Sequence, residues 1–194
     1  MSPQGQSIDE VALEPGTFPI RAVAHLIDLV AFFVVVAISG FAAGIAVIVL
    51  EFFGKVTPGA IKSLGDSSMT TVVLCLGLPL YNTLAVWLGG ASLGKVICGL
   101  RVLSEERRPT SLGQALIRSL ALYVDSMFLG IVGQQAMASS SRRQRYGDRW
   151  AHTIVVRTRS LPEHARSKPA LGIFTGLFAL AVVLFVTLVL GALF

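Results

Sequence analysis

The chain has 194 residues, 54% of them hydrophobic and only 14% charged, with a mean hydropathy of +0.73. Soluble domains carry about 25% charged residues, and a chain this short builds no core large enough to hide the surplus. The composition argues against disorder, a disulfide scaffold or a free cytosolic enzyme, and for a small integral membrane protein of formal net charge +5.

Residues 1–17 contain Asp9, Glu10 and Glu14 and lack the basic start of a cleavable signal, so they are expected to form a cytoplasmic tail. Three stretches then contain no Asp, Glu, Lys, Arg or His: Leu29 to Leu50, Ser67 to Gly94, and Pro169 to Phe194. About 20 apolar residues cross a bilayer, which predicts three full spans, with Tyr81 and Trp87 as interface or packing aromatics. The last span is a C-terminal helix over residues 170–194, reached through a basic linker at 159–169. A fourth apolar stretch, Leu112 to Ala138, is interrupted by Arg118 and Asp125 and reads as amphipathic or re-entrant.

Charge decides whether this stretch crosses the membrane. Eight of the 16 basic residues lie in residues 139–169 and four in residues 89–111. A single crossing by Leu112 to Ala138 would put these segments on opposite faces, against the cytoplasmic bias of Lys and Arg. If the stretch enters and returns, or lies in the interface, only Lys55 and Lys62 fall outside, with the N-terminus cytoplasmic and the C-terminus external. Gly99 to Leu103 and Thr153 to Arg157 are short, β-branched and flanked by turn residues, so they read as strands. Strands pair only within one compartment, since an open strand edge does not lie in lipid. The expected fold is mostly α and polytopic: three spans, one amphipathic or re-entrant segment, and a short cytoplasmic two-stranded β ribbon.

Ile20 to Asp28 and Ile117 to Asp125 match at Ile, Arg, Ala and Asp with apolar residues between. The match reads either as an internal repeat or as coincidence between apolar segments. Each copy places Arg at its start and Asp two turns later. Helical side chains lean toward the N-terminus, so Arg21 and Arg118 are expected to pair with the other copy or with a loop. Arg21, His25 and Asp28 form a polar stripe in which His25 and Asp28 are close enough to touch. Ionisable groups within membrane helices are functional candidates by default; an Asp28 at the edge of the hydrocarbon would instead be structural.

Gly89-x-x-x-x-Gly94-Lys95 lacks the Ser or Thr of a phosphate loop, since Val96 follows; a helix-exit turn is the better reading. Gly40-x-x-x-Gly44 and Gly172-x-x-x-Gly176 are small faces suited to helix packing. Cys75 and Cys98 read as packing thiols. Arg142, Arg143, Arg145 and Arg149 surround Asp148, which should be ionised and organise the loop, while Arg142, Arg143 and Arg149 face anionic lipid. Metal spacing, a nucleophile elbow and paired catalytic carboxylates are all missing from the sequence, so no enzyme, metal, cofactor or nucleic-acid partner is expected.

Four segments together resemble the RDD family of bacterial membrane proteins: Arg21 with Asp28; Gly94-Lys95-x-x-x-Gly99-Leu-Arg-Val102; Ser111-Leu-x-x-Ala-Leu-x-Arg118; and Arg145-Tyr-Gly-Asp148-Arg-Trp-Ala-His-Thr153-Ile-Val-Val156. The likeness covers residues 18–158. It implies a bacterial inner-membrane location, a role in transport, and family-naming residues at Arg21, Asp28 and either Asp148 or Asp125. His152 stands where the family commonly has Gly, and the final helix lies beyond the family core.

Two functions are expected from this. The first is proton- or cation-coupled transport, with Arg21, His25, Asp28, Arg118 and Asp125 as the charge site and an oligomer completing the path. The second is a non-catalytic membrane partner or accessory subunit that docks lipid or another protein, with Lys95, Arg101, Arg145, Asp148 and Thr153 organising its cytoplasmic loops.

Overall fold

Helix α1, Phe18–Phe52, follows directly on Thr17 and carries Pro19 in its first turn, where a missing N–H costs nothing. The computed structural model describes residues 12–57, 59, 68–125, 130–166, 170 and 172–182. Among these residues α1 is the one helix long and apolar enough to cross a membrane; its 35 residues extend about 50 Å at 1.5 Å per residue. Arg21, Ala24, Asp28 and Phe32 recur at three- and four-residue intervals and are buried, whereas Val23, Leu26, Val30, Phe33 and Val34 point outward. The charged groups face the protein and the apolar groups face away, the reverse of a soluble helix.

Helix α2, Ser68–Gly89, corresponds to the second predicted span and contains Pro79. Proline has no N–H to offer the carbonyl four residues earlier. That carbonyl belongs to Cys75, and the Tyr123 hydroxyl donates to it from another helix. The third predicted span is described over Gly172–Val182; residues 183–194 lie outside the described residues, as do residues 1–11, Lys62 and residues 126–129 of the amphipathic stretch.

After α2 the chain forms the short helix α3, Leu93–Ile97, and strand β1, Leu100–Ser104. Helices α4, Leu112–Asp125, α5, Ile131–Ala138, and α6, Tyr146–Trp150, lead to strand β2, Thr153–Arg157. A last helix, α7, covers Gly172–Val182. β1 and β2 are antiparallel, with Val102 opposite Val155 at the centre and Leu100 opposite Arg157 at one end. Both strands are one residue or less from their predicted positions. The expected tail is docked on this ribbon: the Gly16 N–H donates to the Val155 carbonyl at 2.9 Å and the Arg157 N–H to the Glu14 carbonyl at 2.8 Å. The described part of the basic linker, residues 159–166, packs there too, with Arg159 bridging Glu14 at 2.8 Å and Leu161 buried against Leu103, Ile154 and Val156.

The faint sequence match between Ile20–Asp28 and Ile117–Asp125 is a structural one. Each half runs through a helix carrying Arg and Asp, a second helix, a five-residue helix and a strand. Gly94 and Gly147 occupy the second position of the two five-residue helices. Gly94 lies against Ala24 and Asp28, and Gly147 against Ala121 and Asp125, the matched residues of the other half. Gly99 and His152, which precede the strands, both have positive φ, +64° and +50°. That conformation suits glycine and is tolerated by His. In the ribbon Val102 pairs with its own counterpart, Val155, and each strand end meets the counterpart of the opposite end. The halves are thus related by an approximate two-fold through that pair.

A Cβ at Gly172 or Gly176 would meet Val96 or Leu93, whereas one at Gly40 or Gly44 would meet nothing within 4 Å among the described residues. Cys75 and Cys98 are both free thiols.

Candidate charge site at the internal two-fold

Asp28 is completely buried and accepts three hydrogen bonds. Tyr81 Oη donates to Oδ1 at 2.9 Å, Ser92 Oγ to Oδ2 at 2.5 Å, and the Gly94 N–H to Oδ1 at 2.8 Å. The Tyr81 hydroxyl in turn accepts the Leu93 N–H at 2.9 Å. The first N–H groups of a helix lack internal partners, and α3 has no cap of its own, so Asp28 and Tyr81 supply its cap from α1 and α2. A Cβ on Gly94 would overlap the Ala24 carbonyl oxygen; only glycine lets α3 approach so closely.

Asp125 does the same in the other half. Its two oxygens accept the Tyr146 N–H at 3.1 Å and the Gly147 N–H at 3.2 Å, capping α6. The sequence singled out both carboxylates as a charge site; each caps a five-residue helix, Asp28 with two hydroxyl donors besides the Gly94 N–H. No hydrogen bond joins His25 to Asp28 among the described residues, because the donors from Tyr81, Ser92 and Gly94 occupy that carboxylate.

Asp148 is where the two arginines converge. Arg21 Nη1 lies 2.6 Å from its Oδ2, Arg118 Nη2 lies 3.1 Å from its Oδ1, and the Arg145 N–H donates to Oδ2 at 3.2 Å. Arg21 also donates to the carbonyls of Gly16 and Val155, at 3.1 and 3.3 Å. Thr153 Oγ1 accepts from Arg118 and donates to the Asp148 carbonyl, each at 3.4 Å. Burial pushes the Asp148 carboxyl up, but the charges of Arg118, Arg21 and Arg145 outweigh it and hold the group below its ordinary range.

Asp148 is therefore ionised as expected, with different partners. Arg142, Arg143 and Arg149, expected to surround it, are exposed, and Arg142 lies 3.8 Å from Glu105 instead. The carboxylate at the start of α6 points inward to the matched helices, which carries the loop arginines to the surface. Arg101 belongs to a separate place: its Nη1 donates to the Ala165 carbonyl. The sequence offered no sign that Tyr81, Ser92 or Gln144 would matter. Gln144 is buried and donates to Glu105 and to the Thr153 carbonyl, at 2.7 and 2.9 Å.

Around the two-fold these groups enclose a cavity of about 50 Å³ lined by Arg21, His25, Lys95, Arg118, Arg145 and Asp148 among others. Lys95 stands at the position in α3 that Asp148 takes in α6 and donates to Asn82 Oδ1 at 3.3 Å and Ser92 Oγ at 3.0 Å. Burial pulls its ammonium down to about 8, against the opposing influence of Asp28.

The model of the RDD family matches residues 15–152, nearly all of both halves. The chain belongs to the RDD family. The family is a membrane family, in keeping with the outward apolar face of α1. No curated protein and no solved structure matches the chain. Of the Arg and Asp residues that carried the family likeness, Asp148 joins the halves by accepting Arg21 of the first and Arg118 of the second, while Asp28 caps α3 within the first half.

Proposed function

We propose that this RDD-family chain is a non-catalytic, multi-pass protein of the bacterial inner membrane that docks anionic lipid or a partner protein through its cytoplasmic Arg-rich face. The observation that carries this reading is the set of three donors directed at Asp28. A proton carrier must exchange its proton with a path. Asp28 has all three of its bonds directed at it by donors, and one, the Gly94 N–H, cannot reverse and accept. Of the two functions the sequence raised, the geometry favours the second.

The docking face is built by α6. Tyr146 and Trp150 are exposed, with ring centroids 6.2 Å apart, and Arg142, Arg143 and Arg149 are exposed beside them. Exposed aromatics with basic neighbours suit the headgroup layer, and each arginine adds about 1 kcal/mol of attraction to an anionic surface. In this reading α1, α2 and the C-terminal helix cross the membrane, with the N-terminus cytoplasmic. The α4–α5 segment enters and returns as the shortened counterpart of α1–α2. Two features support its immersion. Leu116, Ile117 and Leu120 of α4 face outward while Ala115, Ser119 and Asp125 face inward. Its 14 described residues reach about 21 Å, against a hydrocarbon core of about 30 Å.

The test is reconstitution of the wild type and Asp28→Asn in proteoliposomes, with cation-driven proton flux and protein recovery both measured. Low recovery of the variant without a flux difference per folded molecule is expected. Flux in the wild type that Asp28→Asn abolishes at normal recovery would restore the transport reading.

A further inference from the structure

At the third residue of the two five-residue helices, charge breaks the two-fold. Asp148 and Lys95 are structural counterparts, yet Asp148 takes both arginines and Lys95 finds only the neutral oxygens of Asn82 and Ser92. Arg145, which also lines the cavity, has its Nε buried without a hydrogen-bond partner. Four cations, Arg21, Lys95, Arg118 and Arg145, line the cavity against one lining carboxylate, Asp148; Asp28 and Asp125 stand behind the lining and offset part of that charge. Unbalanced buried charge is costly unless a counter-ion shares it. A second, larger cavity of about 200 Å³ adjoins the first through His25, Ser119 and Leu122 and is closed by Leu78, Pro79 and Tyr123.

We propose that the cavity at the internal two-fold binds a phosphate oxyanion, held by Lys95 and Arg145 in the place of the missing second carboxylate. A cavity of this size exceeds the roughly 10–15 Å³ that one water needs, and guanidinium and ammonium groups are the usual donors to phosphate. The adjoining cavity, walled by Leu78, Leu122, Pro79 and the Tyr123 ring, suits the glycerol and acyl carbons of a phospholipid. The same phosphate chemistry is offered by inorganic phosphate in solution.

Thermal unfolding of the full chain distinguishes the sources. One arm adds inorganic phosphate to protein in neutral detergent at constant ionic strength. The other compares phosphatidylcholine nanodiscs with nanodiscs containing phosphatidylglycerol. A rise in unfolding temperature in the first arm assigns a free oxyanion, and a rise in the second alone assigns a headgroup. Lys95→Gln should weaken the response at least about tenfold, the value of one charge-assisted hydrogen bond. Lys95→Glu should raise the unfolding temperature without ligand and abolish the response. Should Lys95→Gln not fold, Arg145→Gln reports the same loss while Lys95→Arg retains the response. No rise in either arm overturns the proposal. So does a lipid response that Lys95→Gln leaves intact and that Arg142→Gln, Arg143→Gln and Arg149→Gln together remove; that result leaves the docking reading standing.

Discussion

Arg21 and Asp148 are 127 residues apart in sequence and 2.6 Å apart in space, and Arg118 holds the other oxygen of the same carboxylate at 3.1 Å. One acid thereby ties the first helix of each half to the helix that precedes the closing strand. A buried ion pair adds little over a well-packed apolar pair, but losing one partner leaves an uncompensated charge.

Removal of the acid should be worse than removal of one arginine. Arg21→Gln leaves Asp148 with Arg118, whereas Asp148→Asn leaves two buried guanidiniums facing each other. Asp148→Asn is expected to cost about 3–5 kcal/mol and Arg21→Gln less, read as unfolding temperature in detergent. Equal or inverted effects would show that Asp148 is not the shared anchor.

The same carboxylate sets an acid limb. Its folded pKa lies below the ordinary 3.8 because of the three arginines, so its contribution is complete above that value and disappears as the pH falls through the folded pKa. Stability of the wild type should drop below about pH 4 by a component that is missing in Asp148→Asn. A pH titration of unfolding for both proteins checks this.

The two matched glycines should differ in how they can be rescued. Gly147→Ala brings a Cβ to 2.9 Å from the Ala121 Cβ, a side-chain clash costing roughly 1–3 kcal/mol that Ala121→Gly should relieve. Gly94→Ala strikes the backbone carbonyl of Ala24, and Ala24→Gly should leave its defect in place. Folded yield and unfolding temperature of the four variants decide it.

Tyr81→Phe removes one donor from Asp28 and leaves the Leu93 N–H without its acceptor. An unsatisfied buried donor costs about 1–3 kcal/mol. The variant should unfold at lower temperature while Trp87→Phe, at a half-exposed position, changes little.

Much of the fold was legible because it rests on local or compositional signals. The apolar runs announce helices, the β-branched segments 99–103 and 153–157 announce strands, and a pairing of Arg21 and Arg118 with another copy or a loop followed from side-chain direction. The partners of the polar groups were not legible. Asp148 sits among arginines in sequence, and local charge pointed to Arg142, Arg143 and Arg149; in the folded chain the orientation of α6 gives it Arg21 and Arg118. Tyr81 carried no local sign of its role because its partners, Asp28 and Leu93, come from other elements.

The sequence by itself determined that the chain belongs in a membrane, which residues carry charge there, and that Ile20–Asp28 and Ile117–Asp125 are alike. These are properties of composition and period, readable one segment at a time. Only the tertiary structure decided that the likeness is a two-fold, that Asp28 and Asp125 are helix caps, and that Lys95 is the position where the two-fold lacks its acid. Caps and ion pairs here join groups far apart in sequence, and helix packing alone determines which donor reaches which oxygen.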